Sequence, residues 1–204
     1  MENKGEIVAH DIRPKALAEL KRRAARAGVT IIRILPRPRD LPDRDGEAAN
    51  TETRTDFSAP ALAGEAATPD LVPGSRRGFD LVLLDAPCSG SGTVWRQPEL
   101  MRRLTTTRLD ELKALQDALL RQAADATAAG GRLIYVTCSV WPDENEDRID
   151  AFLMRRRDFA VMPASRAWPS RLGEVPREMD RYFKPTPRKL QTDGFFTAVL
   201  RRAR

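Results

Sequence analysis

An α/β fold built on a parallel sheet is predicted by three features of this 204-residue sequence. The stretch Phe79 to Gly92 reads FDLVLLDAPCSGSG, and its apolar run through Leu84 has the pattern of a strand buried on both faces at the centre of a sheet. Arg132 to Val136 is a second short apolar strand, followed by Thr137, Cys138 and Ser139 before Pro142. Between them, Thr107 to Ala128 is long enough for the right-handed crossover that joins parallel neighbours. Such strands run about 4.8 Å apart, so Cys88 and Cys138 are expected side by side beyond the carboxyl ends of the sheet, where open α/β folds bind ligands.

The remaining elements follow in order. Glu6 to Ala9 reads as a short strand ending at His10 and Asp11. Pro14 opens a helix to Ala27, with Leu17, Leu20 and Ala24 on one face, Lys21, Arg22, Arg23 and Arg26 on another, and Gly28 as its stop. Val29 to Leu35 completes a βαβ unit. An acid after the first strand of such a unit can hold a ribose, and Asp11 serves equally as a helix cap. Pro36 to Gly78 has no period and is rich in Pro, Ala, Thr, Asp and Arg, which predicts a long flexible insertion at 36–78.

After the strand at Phe79, Pro87 stops the ladder and Cys88 to Gly92 form a tight loop. Thr93 to Arg103 is polar and basic around Trp95, which is suited either to stacking on bases or to packing over the loop. Leu109, Leu112, Leu115, Leu119 and Ala123 mark the core face of the crossover helix, which Gly130 and Gly131 are expected to end. Asp143 and Glu146 suggest a capping box for a helix through Ile149, Phe152 and Leu153. Phe159 to Met162 and Phe195 to Leu200 read as closing strands, with a Pro-rich irregular stretch between them.

The composition, 41% apolar and 31% charged, suits a soluble globular domain with a real core. No run reaches membrane-spanning length and no signal-peptide pattern opens the chain, so a cytoplasmic location without membrane association is expected. Two cysteines are too few for a disulfide scaffold. One histidine disfavours a catalytic triad or a His-rich metal site, and Cys88 with Cys138 supply only half of a zinc set, so no metal is expected. The net charge of +6, with arginine pairs or triplets at 22–23, 76–77, 102–103 and 155–157, suits a polyanionic partner and equally an arginine-rich solvated surface. By residue type alone the two cysteines are better read as buried structural thiols than as catalytic groups. Addition of a thiolate to an electron-poor ring is the chemistry that two thiols and a carboxylate fit best.

The motifs Asp85-Ala86-Pro87-Cys88-Ser89-Gly90 and Thr137-Cys138-Ser139 together resemble the Nop/Sun-type RNA cytosine-C5 methyltransferase family. Val8 to Asp11, Gly92 to Thr105, Pro142 to Glu146 and Thr192 to Arg201 extend the resemblance over most of the chain outside 36–78. It implies a Rossmann-like class I methyltransferase sheet with helices on both faces. It also implies S-adenosyl-L-methionine as cofactor and RNA as partner, with rRNA expected ahead of tRNA. By the same resemblance Cys138 is the nucleophile toward C6 of a cytosine, and Cys88 assists loss of the C5 proton and enzyme release. Asp85 bonds the base or the cofactor, and Asp11 bonds the cofactor ribose.

The sequence departs from that family at its start. The glycine-rich cofactor strand that precedes the Val8 strand has no room before it, so residues 1–204 are expected to form a truncated catalytic domain lacking the first strand of the sheet. The strands at Val8 and Phe79 should then each be left with an unpaired edge. The surviving contacts should bind S-adenosyl-L-methionine more weakly than micromolar. A catalytically inactive RNA-binding remnant is the alternative reading.

Overall fold

The computed structural model describes residues 3–35, 78–175 and 179–204, which fall into two compact units. The expected flexible insertion lies outside the described residues except for Gly78.

The first unit is a βαβ motif: β1 (Ile7–Ala9), α1 (Pro14–Arg26) and β2 (Ile32–Ile34), the strands parallel with Val8 opposite Arg33. Pro14 occupies the first turn of α1, where its missing N–H costs nothing. Gly28, at φ +65°, turns the chain out of the helix, and the Val29 N–H closes on the Ala24 carbonyl at 2.9 Å. Leu17, Leu20 and Ala24 are half-buried, and the basic residues of the opposite face are exposed.

The second unit holds a four-stranded mixed sheet in the order β3 (Phe79–Asp85), β4 (Thr127–Thr137), β6 (Phe196–Arg202), β5 (Phe159–Met162). β3 and β4 are parallel, with Leu83 opposite Ile134 and Asp85 opposite Val136. β6 runs antiparallel to both of its neighbours. Between β3 and β4 come α2 (Glu99–Arg103) and the crossover helix α3 (Thr106–Ala126), which Thr105 caps through its hydroxyl to the Arg108 N–H at 3.1 Å. α4 (Glu146–Arg155) lies between β4 and β5. The short helices α5 (Ala164–Ala167) and α6 (Pro187–Leu190) interrupt the stretch before β6. Leu120, Ala124, Leu133, Tyr135, Ile149 and Leu200 form the centre of the core. Phe196 meets Tyr135 edge-on with ring centroids 6.3 Å apart.

Three expectations are corrected. Among the described residues β3 has the unpaired edge expected for it, so it does not stand at the centre of its sheet as its apolar run suggests. Val82 and Leu84 pack on the core, whereas Leu81 and Leu83 on the other face are 49% and 65% exposed. An apolar run records the capacity for burial on both faces, and among the described residues only β4 pairs with this strand. Second, Gly130 and Gly131 do not end α3. The helix closes earlier, where the Thr127 hydroxyl bonds the Ala123 carbonyl at 2.7 Å, and the glycines form an irregularity inside β4. A Cβ on Gly131 would come within 3.0 Å of the Phe79 carbonyl oxygen, so the close approach of β3 demands glycine there. Third, no capping box starts α4. Asn145 stands at the cap position with its side chain turned inward, and Glu146 pairs with Lys184.

Candidate active site

The loop after β3 and the loop after β4 bring the two cysteines together: Cys88 Sγ lies 3.3 Å from Cys138 Sγ, both half-buried and unbridged. The ladder prolongs itself past the strand end, since the Ala86 N–H donates to the Val136 carbonyl at 2.9 Å. Gly90, at φ +71°, then reverses the chain into a single 3-10 turn at Ser91–Thr93, and the Gly92 N–H donates to the Cys138 carbonyl at 2.9 Å. The Gly92 carbonyl in turn accepts from the Gly194 N–H at 2.8 Å. The approach is so close that a Cβ on Gly92 would lie 2.0 Å from the Gly194 oxygen.

Beneath the thiols runs a buried polar network that sequence reasoning missed. Glu144 has no exposed surface, and its carboxylate accepts from the Ser89 N–H at 2.8 Å, the Ser89 hydroxyl at 2.5 Å and Gln116 Nε2 at 3.1 Å. Burial of a carboxyl group is tolerable only with such donors. The Ser139 and Ser91 hydroxyls are 3.0 Å apart, and Ser91 Oγ accepts from the Val140 N–H at 3.1 Å. Asn145 accepts from the Thr137 hydroxyl at 2.6 Å and donates to the Ser139 carbonyl at 2.9 Å. The Tyr135 hydroxyl fixes the Glu144 carbonyl at 2.7 Å. The serine that follows each cysteine was the available signal. Glu144 was hidden because its segment, Pro142 to Glu146, reads as an ordinary helix start.

The network leaves the two sulfurs unequal. The hydrogen bond from Cys88 lowers the pKa of Cys138, against burial and the charges of Asp85 and Glu144, which raise it. Donating that bond, together with burial, pushes the Cys88 thiol far up. Cys138 is therefore the more acidic sulfur of the pair.

Asp85 is exposed at the end of β3. In the first unit, Asp11 follows β1 and accepts from the Arg13 N–H at 2.8 Å and from Arg13 Nε at 3.0 Å, which holds its carboxyl below the usual range despite the opposing effect of burial. Asp11 thus shapes the turn into α1, and Arg13 takes the N-cap position itself. Among the described residues no group of three or more His, Cys, Asp or Glu side chains could hold a metal, and no helix is long and apolar enough to cross a membrane.

Parallel strands joined by a crossover helix, with reactive groups at their carboxyl ends, fit the class I methyltransferase architecture, and solved structures share the fold. The crystal structure titled PH0851 matches with a TM-score of 0.68 and 32% identity, covering 98% of this chain and 38% of that one. NSun6 from Pyrococcus horikoshii, solved with SFG, matches with a TM-score of 0.64 and 25% identity over 100% of this chain and 43% of that one. The family model described as 16S rRNA methyltransferase RsmB/F matches residues 1–201, and the chain belongs to that family. Ribosomal RNA small subunit methyltransferase B of Xanthomonas campestris is 39% identical over 125 residues, which are 61% of this chain and 27% of the relative. The Thermus thermophilus protein of the same name is 40% identical over 121 residues, 59% of this chain and 29% of the relative. The chain thus spans less than a third of either relative's length in these matches.

Proposed function

We propose that residues 1–204 are the carboxyl-terminal part of the catalytic domain of an S-adenosyl-L-methionine-dependent RNA cytosine-C5 methyltransferase acting on rRNA in the cytoplasm. The observation that carries this reading is the thiol pair, 3.3 Å apart, beyond the ends of two parallel strands.

In this reading the Cys138 thiolate adds to C6 of an unstacked cytosine. A C6–S bond forms and the ring electrons move to C5, which becomes the nucleophile. Bound S-adenosyl-L-methionine supplies the methyl group as an electrophile. Cys88 assists removal of the C5 proton, the C5–H electrons rebuild the ring double bond, and the C6–S bond breaks to release Cys138. Asp85 hydrogen-bonds the base or the cofactor. Carboxylate oxygens suited to cofactor hydroxyl or amino groups stand at the end of β3, at Asp85, and separately in the first unit after β1, at Asp11. Both Asp11 oxygens accept from Arg13, so a ribose hydroxyl would have to share them.

The test joins residues 1–204 to the preceding segment of the Thermus thermophilus relative and measures methyl transfer to 16S rRNA. Cys138→Ala should abolish transfer, and Cys88→Ala should accumulate a covalent RNA adduct. An adduct that forms without Cys138 would overturn the role assignment. The joined protein binding rRNA but transferring nothing would favour an inactive RNA-binding remnant, a reading to which the engagement of Asp11 by Arg13 gives some support.

A further inference from the structure

Trp95 does not pack over its loop: its residue is 63% exposed, three positions beyond the Gly92 whose N–H bonds the Cys138 carbonyl. The ring is nonetheless held. Its Nε1 donates to Asp193 Oδ1 at 2.7 Å, and Arg96 Nε donates to the same oxygen at 3.1 Å while Arg96 Nη2 bonds Oδ2. The Arg96 guanidinium stands 5.7 Å from the indole centroid. The Asp193 side chain is only 14% exposed, and the next residue, Gly194, seals the turn to Gly92. An indole fixed at its polar edge and open on its face is pre-organised for stacking and loses little entropy when it stacks.

The surroundings name the occupant. Val140, two residues after Cys138, is 44% exposed and Phe195 is 37% exposed. Both flank the Gly92–Gly194 junction, where a Cβ on Gly194 would lie 2.5 Å from Val140 Cγ1. Exposed guanidinium groups at Arg96 and Arg102 and a net charge of +6 favour a polyanion over an apolar peptide. We propose that Trp95, positioned by Asp193, is a stacking platform for an unpaired RNA base flanking the cytosine that approaches Cys138, with Arg96 beside it for the adjoining phosphate. This rests on the RNA reading above and adds to it a subsite for single-stranded RNA.

The experiment measures binding of a short fluorescein-labelled single-stranded RNA of mixed, cytosine-containing sequence to the purified chain over a range of salt. Trp95→Ala should weaken binding roughly five- to 150-fold, Trp95→Phe less. The slope of log affinity against log salt should stay unchanged in both, because no phosphate contact is lost. Arg96→Ala should flatten that slope. Duplex RNA of the same sequence should bind alike to the parent and to Trp95→Ala, and RNA should quench the intrinsic fluorescence of the parent more than that of Trp95→Phe. Equal single-strand affinity for the parent and Trp95→Ala, or an equal loss on duplex RNA, would overturn the platform and leave the RNA reading standing. A parent chain that binds no RNA at low salt would overturn the RNA reading itself.

Discussion

Cys88 Sγ and Cys138 Sγ share a hydrogen bond across 3.3 Å, and Cys138 is the more acidic of the two thiols. The consequence is measurable without substrate. Iodoacetamide should modify Cys138 first, at pH values below those that Cys88 requires. Cys88→Ala removes the donor, so the alkylation profile of Cys138 should move to higher pH, and Cys88→Ser, which keeps a donor, should move it less. Mass spectrometry of timed digests reads both. A profile that moved to lower pH in Cys88→Ala would mean that Cys138 is the donor of the pair.

Glu144 should matter to stability through geometry and to the thiols through charge. Glu144→Ala strands the Ser89 N–H and one of the two Gln116 Nε2 hydrogens, the other still donating to the Pro87 carbonyl, and should cost about 2 kcal/mol. Glu144→Gln keeps a carbonyl oxygen for those two donors, and the Ser89 hydroxyl can rotate to accept from the new amide, so most of the stability should return. Because the Glu144 charge opposes ionisation of Cys138, the same variant should shift Cys138 alkylation to lower pH. Urea denaturation and the alkylation profile separate the two effects. Equal destabilisation by Gln and Ala would refute the geometric account.

The sequence made the two strand-and-thiol segments legible because each carries several agreeing signals: an apolar run, a stop and a polar loop. Side-by-side cysteines then follow from the fixed spacing of parallel strands. What stayed hidden depends on partners distant in sequence. The apolar run of β3 alone suggested burial on both faces, and only the departure at the start of the chain signalled its unpaired edge; that Leu83 would be left 65% exposed depends on neighbours the run does not contain. Gly130 and Gly131 look like a helix stop, yet Gly130 takes a positive φ of +75° inside β4 and Gly131 lies against the Ala128 and Phe79 carbonyl oxygens. Glu144 is invisible for the same reason, because Ser89 and Gln116, its donors, lie 55 and 28 residues away.

The Gly92–Gly194 contact should tolerate no side chain. Alanine at position 92 would place its Cβ within 3 Å of three Gly194 backbone atoms, and at position 194 within 2.5 Å of Val140 Cγ1 and 2.9 Å of Gly92 Cα. Backbone atoms cannot swing away, so Gly92→Ala should cost about 3 kcal/mol and Gly194→Ala somewhat less, since part of its clash is with a side chain. Gly173→Ala, at φ +83° with nothing within 4 Å, is the control for backbone strain alone and should cost roughly 1–3 kcal/mol. Differences in urea midpoint give the ranking. A Gly92→Ala protein as stable as Gly173→Ala would mean that the two loops separate easily.

At the opposite end of the sheet, Asp158 ties the edge strand to its neighbours, and its contribution should vanish in acid. Its carboxylate accepts from Arg156 Nε at 2.9 Å, Arg156 Nη2 at 3.0 Å and Arg202 Nε at 2.9 Å, and both guanidinium groups lie over the Phe159 ring, 5.2 and 5.8 Å from its centroid. These bonds hold the carboxyl below its ordinary value of 3.8, the Arg156 bond being the largest cause. A carboxyl whose folded pKa is depressed adds stability that is complete above its unfolded value and is lost as pH falls through the folded one. The side chain is 36% exposed, so solvent screening keeps the effect to about 1 kcal/mol or less. Asp158→Asn should therefore lower the thermal midpoint slightly at neutral pH, and the gap from the parent should close progressively below about pH 4. A gap that persisted unchanged in acid would assign the loss to packing on Phe159 rather than to the carboxylate.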